Sequence, residues 1–310
     1  MTVDHGAKGA ATVTAAAGGL RATASFAIPE ALTSITIKHE GKNTALSSLR
    51  VAGGSTTQLT ATGWYYGNKV YSADTSFTWS VSDALGTIDE DGTFTAAQTG
   101  RDVTGTLTVT YGETSCTLPV TVGSSQPFDD TKGHWAESYI TELYYAGTLQ
   151  GSEKNGKLYY RPDASMTRQE FIVAMMRYLG TDLSAYASVQ LPFDDSGSIA
   201  SWAKSAMQAA YQLGYLTGSK TNGKLLAKPG STISRQEAMT ILSRTKDFAD
   251  ADLNVLSAFS DSGKIADWAR TALAQMTQQK IISGSKGKLN PTGKVTRAEV
   301  AKMLYMLSES

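Results

Sequence analysis

Three arginines are set apart by their neighbours. Thr167-Arg168-Gln169-Glu170, Ser234-Arg235-Gln236-Glu237 and Thr296-Arg297-Ala298-Glu299 share one pattern, a hydroxyl residue followed three positions later by glutamate. That spacing is a capping box: the hydroxyl accepts from the third amide of a helix, and the glutamate reaches back to the amide of the cap. Each arginine then occupies the first helical position, where the helix dipole disfavours a cation by roughly 0.3–1 kcal/mol. A chain that carries this cost three times needs a compensation. One is an anion, carboxylate or phosphate, held where a guanidinium and free helix amides converge. The other is an ion pair with an aspartate such as Asp130 or Asp195 across a repeat junction. The residues alone leave both open.

Other groups recur in step with the arginines. Phe128-Asp129-Asp130, Phe193-Asp194-Asp195 and Phe259-Ser260-Asp261 return at a period of about 66 residues. So do Trp135-Ala136, Trp202-Ala203 and Trp268-Ala269, and Gly151-Ser152, Gly218-Ser219 and Gly284-Ser285. A loop between Gly284 and Arg297 is trimmed. Each glycine permits close backbone approach and each serine offers a hydroxyl to a ligand; a helix-end turn is the plainer reading. The tryptophans could be stacking faces or core. Asp130, Asp195 and Asp261 are candidates for the site, for caps of the Trp helices or for salt-bridge partners. Tyr144, Tyr145, Tyr159 and Tyr160 could stack on sugars, though the first two fall on a helix and could simply pack.

The elements that must position these groups follow from the same repeat. The Trp opens a helix that ends at Gly147, at Gly214 or in Gln278-Gln279-Lys280. A Gly-Ser loop and a short extended piece lead to Pro162, Pro229 or Pro291, and the capping box starts a second helix. That helix has an apolar face: Phe171, Ala174, Met175, Tyr178 and Leu179, then Ala238, Ile241 and Leu242, then Val300, Met303, Leu304 and Leu307. One helix–loop–helix unit is too small to bury this face, but three together could close a core. The first part of the chain reads differently. It is rich in Thr and Gly and alternates with period two in 32–38, 57–62, 77–81, 104–111 and 116–122. Turn signals separate these runs, as in a β-sandwich. The fold class is therefore multidomain, all-β followed by mainly α. Boundaries fall at 1–31 (the tail of a preceding domain, or linker strands), 32–123 (sandwich), 124–127 (linker), and 128–187, 188–254 and 255–310 (repeats).

Composition narrows the function classes. The 310 residues carry 28 basic and 28 acidic side chains, so no basic excess points to nucleic acid. The single cysteine, Cys116, excludes an intrachain disulfide and a thiolate cluster. The histidines His5, His39 and His134 are far apart, and no metal or cofactor is expected. No Gly-x-Ser-x-Gly or His-Glu-x-x-His occurs, and nothing points to a paired-carboxylate site, so catalysis is not expected. Asp89-Glu90-Asp91 reads as a hairpin turn closed by Asp91-Gly92 rather than a calcium loop. No apolar run is long enough for a membrane span and no signal peptide opens the chain. The chain is then either intracellular or a piece of a longer exported protein, and the rest of the reading favours the second.

The repeated motifs resemble those of S-layer homology domains, a family that carries Phe-x-Asp, Trp-Ala, Gly, Arg-Pro and Thr-Arg-x-Glu; the chain shows most of this set three times from Phe128 to Ser310. Departures are a longer Asp-to-Trp spacing in the second and third copies, and Lys228 and Asn290 in place of Arg161. The resemblance implies a pseudo-threefold assembly with grooves between repeats. It also implies non-covalent binding of secondary cell-wall polysaccharide, often through pyruvylated N-acetylmannosamine, with Arg168, Arg235 and Arg297 meeting the pyruvate carboxylate. One groove of the family is often unused, and the trimmed loop makes the Arg297 groove the candidate. The segments 51–61, 78–81 and 86–96 are similar to bacterial immunoglobulin-like domains of group 2, which implies a spacer or adhesive module with Trp79 in its core. Together the two resemblances imply an exported anchor at the wall of a bacterium of Gram-positive type, with other surface proteins as possible partners. The arrangement also resembles the carboxy-terminal part of surface enzymes, the phosphodiester glycosidases among them. A structural or adhesive protein contacting others through the sandwich is the alternative; an exposed aromatic patch around Trp64-Tyr65-Tyr66 would favour it, and a strand with one face packed is the plainer reading of that triplet.

Overall fold

The computed structural model describes residues 9–28, 32–65, 68–70 and 76–308. The chain divides into two compact units, Met1–Ser125 and Gln126–Ser310.

The amino-terminal unit is all β. Strands β1 (Gly9–Ala17) and β2 (Leu20–Ile28) form an antiparallel ribbon. Two further sheets hold the apolar core. One orders β4 (Leu49–Ala52), β11 (Thr114–Gly123), β10 (Val103–Tyr111) and β7 (Thr78–Val81). The other orders β3 (Ser34–His39), β5 (Thr56–Tyr65), β9 (Thr93–Ala96) and β8 (Gly86–Ile88), with β6 (Asn68–Val70) paired to β5. Period-two alternation does the sorting. Leu107 and Val109 of β10 and Leu118, Val120 and Val122 of β11 turn inward, while threonines between them face out. Ile37, Leu59, Leu85 and Phe94 complete the core of an immunoglobulin-like sandwich. The five alternating runs all fall on strands, and β4, β6, β8 and β9 are additional. Trp79 differs from expectation. It is half-buried at the margin of the core, its ring lying over Gly92, which takes φ +84 in the turn after β8. The Asp89 carboxylate accepts from the amides of Asp91 and Thr93, closing that turn. Cys116 lies on β11, half-buried against the core, and burial pushes its thiol up. Trp64 and Tyr65 end β5, where the Trp64 indole donates to Thr36 at 2.8 Å. Tyr66, His5 and residues 1–8 and 29–31 lie outside the described residues.

The carboxy-terminal unit repeats one module three times. First helices are α1 (Glu137–Tyr145), α3 (Lys204–Gln212) and α5 (Asp267–Gln278). Second helices are α2 (Arg168–Tyr178), α4 (Arg235–Leu242) and α6 (Arg297–Ser308). Between them stand two hairpins, β12 (Ser152–Lys154) with β13 (Lys157–Tyr159) and β14 (Ser219–Thr221) with β15 (Lys224–Leu226). The third copy has a tighter turn, with Ser285 bridged to Lys288. The first helices end where the backbone turns left-handed, at Gly147, Gly214 and Lys280.

The three copies share one core. At its centre a ring of backbone hydrogen bonds closes pseudo-threefold: Met166 donates to Val295, Val295 to Ile233 and Ile233 to Met166, at 3.0–3.1 Å. All three side chains are buried. No single copy could satisfy these amides, so the repeats complete one another rather than stack in a row. No described helix is long and apolar enough to cross a membrane.

Candidate functional site

The capping boxes form as the spacing requires. The amide of Thr167 donates to Glu170, that of Ser234 to Glu237 and that of Thr296 to Glu299, at 2.8–2.9 Å. The arginines therefore do open α2, α4 and α6. The helix amides behind them are not free, however, and this corrects the expected anion cradle. Arg168 and Gln169 donate their amides to Ser231 and Pro229 of the next repeat. Arg235 and Gln236 donate to Gly293 and Pro291, and Arg297 and Ala298 to Ala164 and Pro162. Each helix start is capped by the turn after the neighbouring hairpin, which satisfies the orphan donors within the protein.

The guanidinium groups run onward into the same neighbour. Arg168 Nε donates to the Ala227 carbonyl at 2.9 Å, and its terminal nitrogen meets Glu237 at 3.0 Å. Arg235 meets Glu299 at 3.0 Å. One glutamate oxygen thus closes the capping box while the other holds the arginine of the preceding repeat. The paired reading of the arginines is realised with these glutamates, not with Asp130 or Asp195. Burial lowers the pKa of both guanidinium groups, with Glu237 and Glu299 acting in the opposite sense. Arg297 behaves differently. It donates to the carbonyls of Tyr160 and Gln150 and lies 4.4 Å over the Tyr160 ring. Tyr160 is fully buried, so it is a platform for arginine rather than for sugar.

The aspartates are structural staples. Asp130 accepts from the amides of Tyr160 and Arg161, Asp195 from Ala227 and Lys228, and Asp261 from Leu289 and Asn290. The second residue of each pair has positive φ: Arg161 (59), Lys228 (52) and Asn290 (52). The carboxylate thus pins a left-handed kink, and it caps no helix. Gly151, Gly218 and Gly284 have an equally physical reason. A Cβ on each would come within 2.4–2.7 Å of the ring of Phe128, Phe193 or Phe259. The Phe-x-Asp motif and the Gly-Ser loop are therefore two halves of one contact.

The tryptophans answer the question that the sequence left open. Trp135, Trp202 and Trp268 are 55%, 58% and 57% exposed, whereas the next residue along the chain, Ala136, Ala203 or Ala269, is buried. They are not core. Each stands at a groove, and the grooves are built by cyclic exchange. Arg168, Gly218, Ser219, Glu237, Arg244 and Trp268 line a cavity of about 340 Å³. Arg235, Gly284, Ser285, Glu299, Lys302 and Trp135 line one of about 640 Å³. Arg297, Gly151, Glu170, Arg161, Arg177 and Trp202 line one of about 200 Å³. In every case one repeat gives the arginine, the next the loop and glutamate, and the third the tryptophan. Ser152 is exposed and does not line the third cavity. The trimmed loop borders the Arg235 groove, not the Arg297 groove to which the sequence assigned it. Arg177, Arg244 and Lys302 are groove residues that the motif search passed over, and Arg161, noted there only as a motif position, lines the third groove. Among the described residues no cluster of three or more metal-ligating side chains occurs.

The chain matches the family described as S-layer homology domain at residues 127–172, 192–239 and 258–301. The carboxy-terminal unit carries three S-layer homology domains. These domains generally anchor surface proteins to the cell wall by binding secondary cell-wall polysaccharide, and their carriers are typically wall-associated proteins of Gram-positive bacteria. Similar proteins include an amylopullulanase of Thermoanaerobacterium thermosulfurigenes, 28% identical over 65% of this chain and 10% of the relative. An exoglucanase of Acetivibrio thermocellus is 29% identical over 60% of this chain and 16% of the relative. A surface-layer 125 kDa protein of Lysinibacillus sphaericus is 32% identical over 58% and 15%. The chain thus spans only a small part of the length of each of these relatives.

Proposed function

We propose that the chain anchors a surface protein to the bacterial wall non-covalently, grooves between its repeats binding a pyruvylated, N-acetylmannosamine-containing secondary wall polysaccharide. The carrying observation is the pairing of a more-than-half-exposed tryptophan with a cation-lined cavity, three times over. A large exposed aromatic face beside cations suits a sugar ring bearing a carboxylate. Helix-end amides take no part, because they are already bonded. Binding then rests on the guanidinium N–H groups not used by protein carbonyls, with the tryptophan as the stacking surface. Three grooves in one rigid head reinforce one another along a polymer. The sandwich serves as spacer. The relatives' names favour a catalytic glycan-processing cargo as the protein delivered. A structural surface protein is the second reading, favoured by the surface-layer relative.

The test is calorimetry of the full chain with purified wall polysaccharide before and after removal of its pyruvate. Binding should weaken by about tenfold or more when the pyruvate is removed. The Trp135→Ala, Trp202→Ala and Trp268→Ala variants should keep the fold, since these rings are exposed, and each should weaken binding. Equal affinity for both glycans would overturn the proposal.

A further inference from the structure

The three grooves are built on one plan but do not carry the same charges. The Arg168 groove has two cations, Arg168 and Arg244, against Glu237. The Arg297 groove has three, Arg161, Arg177 and Arg297, against Glu170. All of these are guanidinium groups. The Arg235 groove has four, Arg235, Lys286, Lys288 and Lys302, against Glu299, and it encloses the largest volume.

Three local changes produce this difference. First, Arg177 and Arg244 lie nine residues after the motif arginine, and the third repeat has Met306 there. Its cation is instead Lys302, where the other repeats have Val173 and Thr240. Second, the shortened turn brings Lys286 and Lys288 to the cavity, whereas the lysines of the two full hairpins line none of these three grooves. Third, Lys157 of the first repeat is neutralised by Asp129 at 2.9 Å, but Ser260 stands where Asp129 would be in the third repeat. Lys286, which takes the place of Lys157, therefore has no carboxylate there, and Lys288 adds a cation where the first repeat has Tyr159. Arg235 is also held more loosely. Its Nε is buried and makes no hydrogen bond, while Arg168 Nε and Arg297 Nε each donate to a carbonyl.

Arginine forks suit a single planar carboxylate bidentately, whereas ammonium groups are point charges that gather around a more highly charged, rounder anion. We propose that the Arg235 groove is a distinct site for a dianionic sugar, of the phosphorylated type, while the other two grooves take a sugar bearing one carboxylate. This rests on the reading of the grooves as sugar-anion sites and deepens it. The head would then read two chemical features of a wall glycan. The trimmed loop becomes the device that changes specificity rather than the mark of an idle groove.

The grooves can be read separately because each has its own tryptophan. The full chain labelled with fluorotryptophan gives five fluorine resonances, assigned by Trp→Phe substitution one at a time. The probes are glucose 6-phosphate and glucuronate, hexoses of similar size carrying a dianion and a monoanion near neutral pH. Glucose 6-phosphate should move the Trp135 resonance at about a tenfold lower concentration than glucuronate does, the scale of a few partly screened charge contacts. Trp202 and Trp268 should show no such preference. The triple variant Lys286→Ser, Lys288→Ser, Lys302→Ala changes solvent-facing side chains and should abolish the preference at Trp135 alone. Equal response of Trp135 to both probes, no response to either, or a preference that survives the triple variant overturns the proposal. Pyruvylated polysaccharide, followed at Trp202 and Trp268, reports on the anchoring reading independently.

Discussion

Arg168 and Arg297 hold the same place in the same motif, yet their guanidinium groups end in different company. Arg168 is buried and locked to Glu237. Arg297 leaves Glu170 to its capping box and lies instead on the Tyr160 ring, reaching on to the Gln150 carbonyl. The cause is one residue of the neighbouring repeat. Tyr160 fills the position that Ala227 holds beside Arg168 and Leu289 beside Arg235. A motif fixes where an arginine begins; the neighbour decides what it touches.

The largest test of that contrast is at the glutamates. Glu237→Ala removes both the cap and the partner of a buried cation and should cost about 3 kcal/mol of unfolding free energy. Glu170→Ala removes only a cap and should cost about 1 kcal/mol. Equal losses in denaturant titrations would dissolve the distinction. Next, Tyr160→Leu copies the third repeat into the first. Losing the ring under Arg297 and its contact with Phe128 at 5.4 Å should cost about 2 kcal/mol. The same change should leave the response of Trp268 to carboxylate sugars unaltered, because that groove contains no part of Tyr160.

A smaller effect separates the ends of the first helices. Gly147 and Gly214 take the left-handed turn freely, whereas Lys280 takes φ 58 with a side chain. Lys280→Gly should raise the melting temperature, by about 1 kcal/mol of stability. A fall instead would mean that the Lys280 side chain has a use the backbone does not reveal. The smallest effect concerns Asp261, whose carboxyl sits below the usual range. Burial opposes its ionisation, and the amides of Leu289 and Asn290 with the charge of Lys264 outweigh that. Its folded pKa is depressed, so its contribution is present above the ordinary carboxyl value of about 3.9 and fades as pH falls through the lower folded value. A carboxyl-carbon titration by NMR with a midpoint at or above the ordinary value would contradict this.

Much was written locally. The five alternating runs became strands because side chains on a strand alternate between the two faces of a sheet. The capping boxes formed because their partners are three residues apart. The repeat itself announced three equivalent units. What local pattern could not show is the use of each repeated residue. Nothing near Asp130 indicates that it will hold amides around residue 160, and nothing near Trp135 indicates that it will stand exposed beside Arg235. The helix-dipole argument placed the arginines correctly and misjudged their surroundings, because the carbonyls that satisfy the amides come from another repeat.

Residue types and their spacing by themselves determined the main sandwich strands, the starts of the second helices, the threefold repetition and the repeated motif residues that line the grooves. Only the tertiary structure decided which arginine, loop and tryptophan share a groove. Those partners lie between about 50 and 150 positions apart along the chain. Closing the ring through Met166, Ile233 and Val295 brings them together, and that closure depends on packing three amphipathic units into one core, which no single unit encodes.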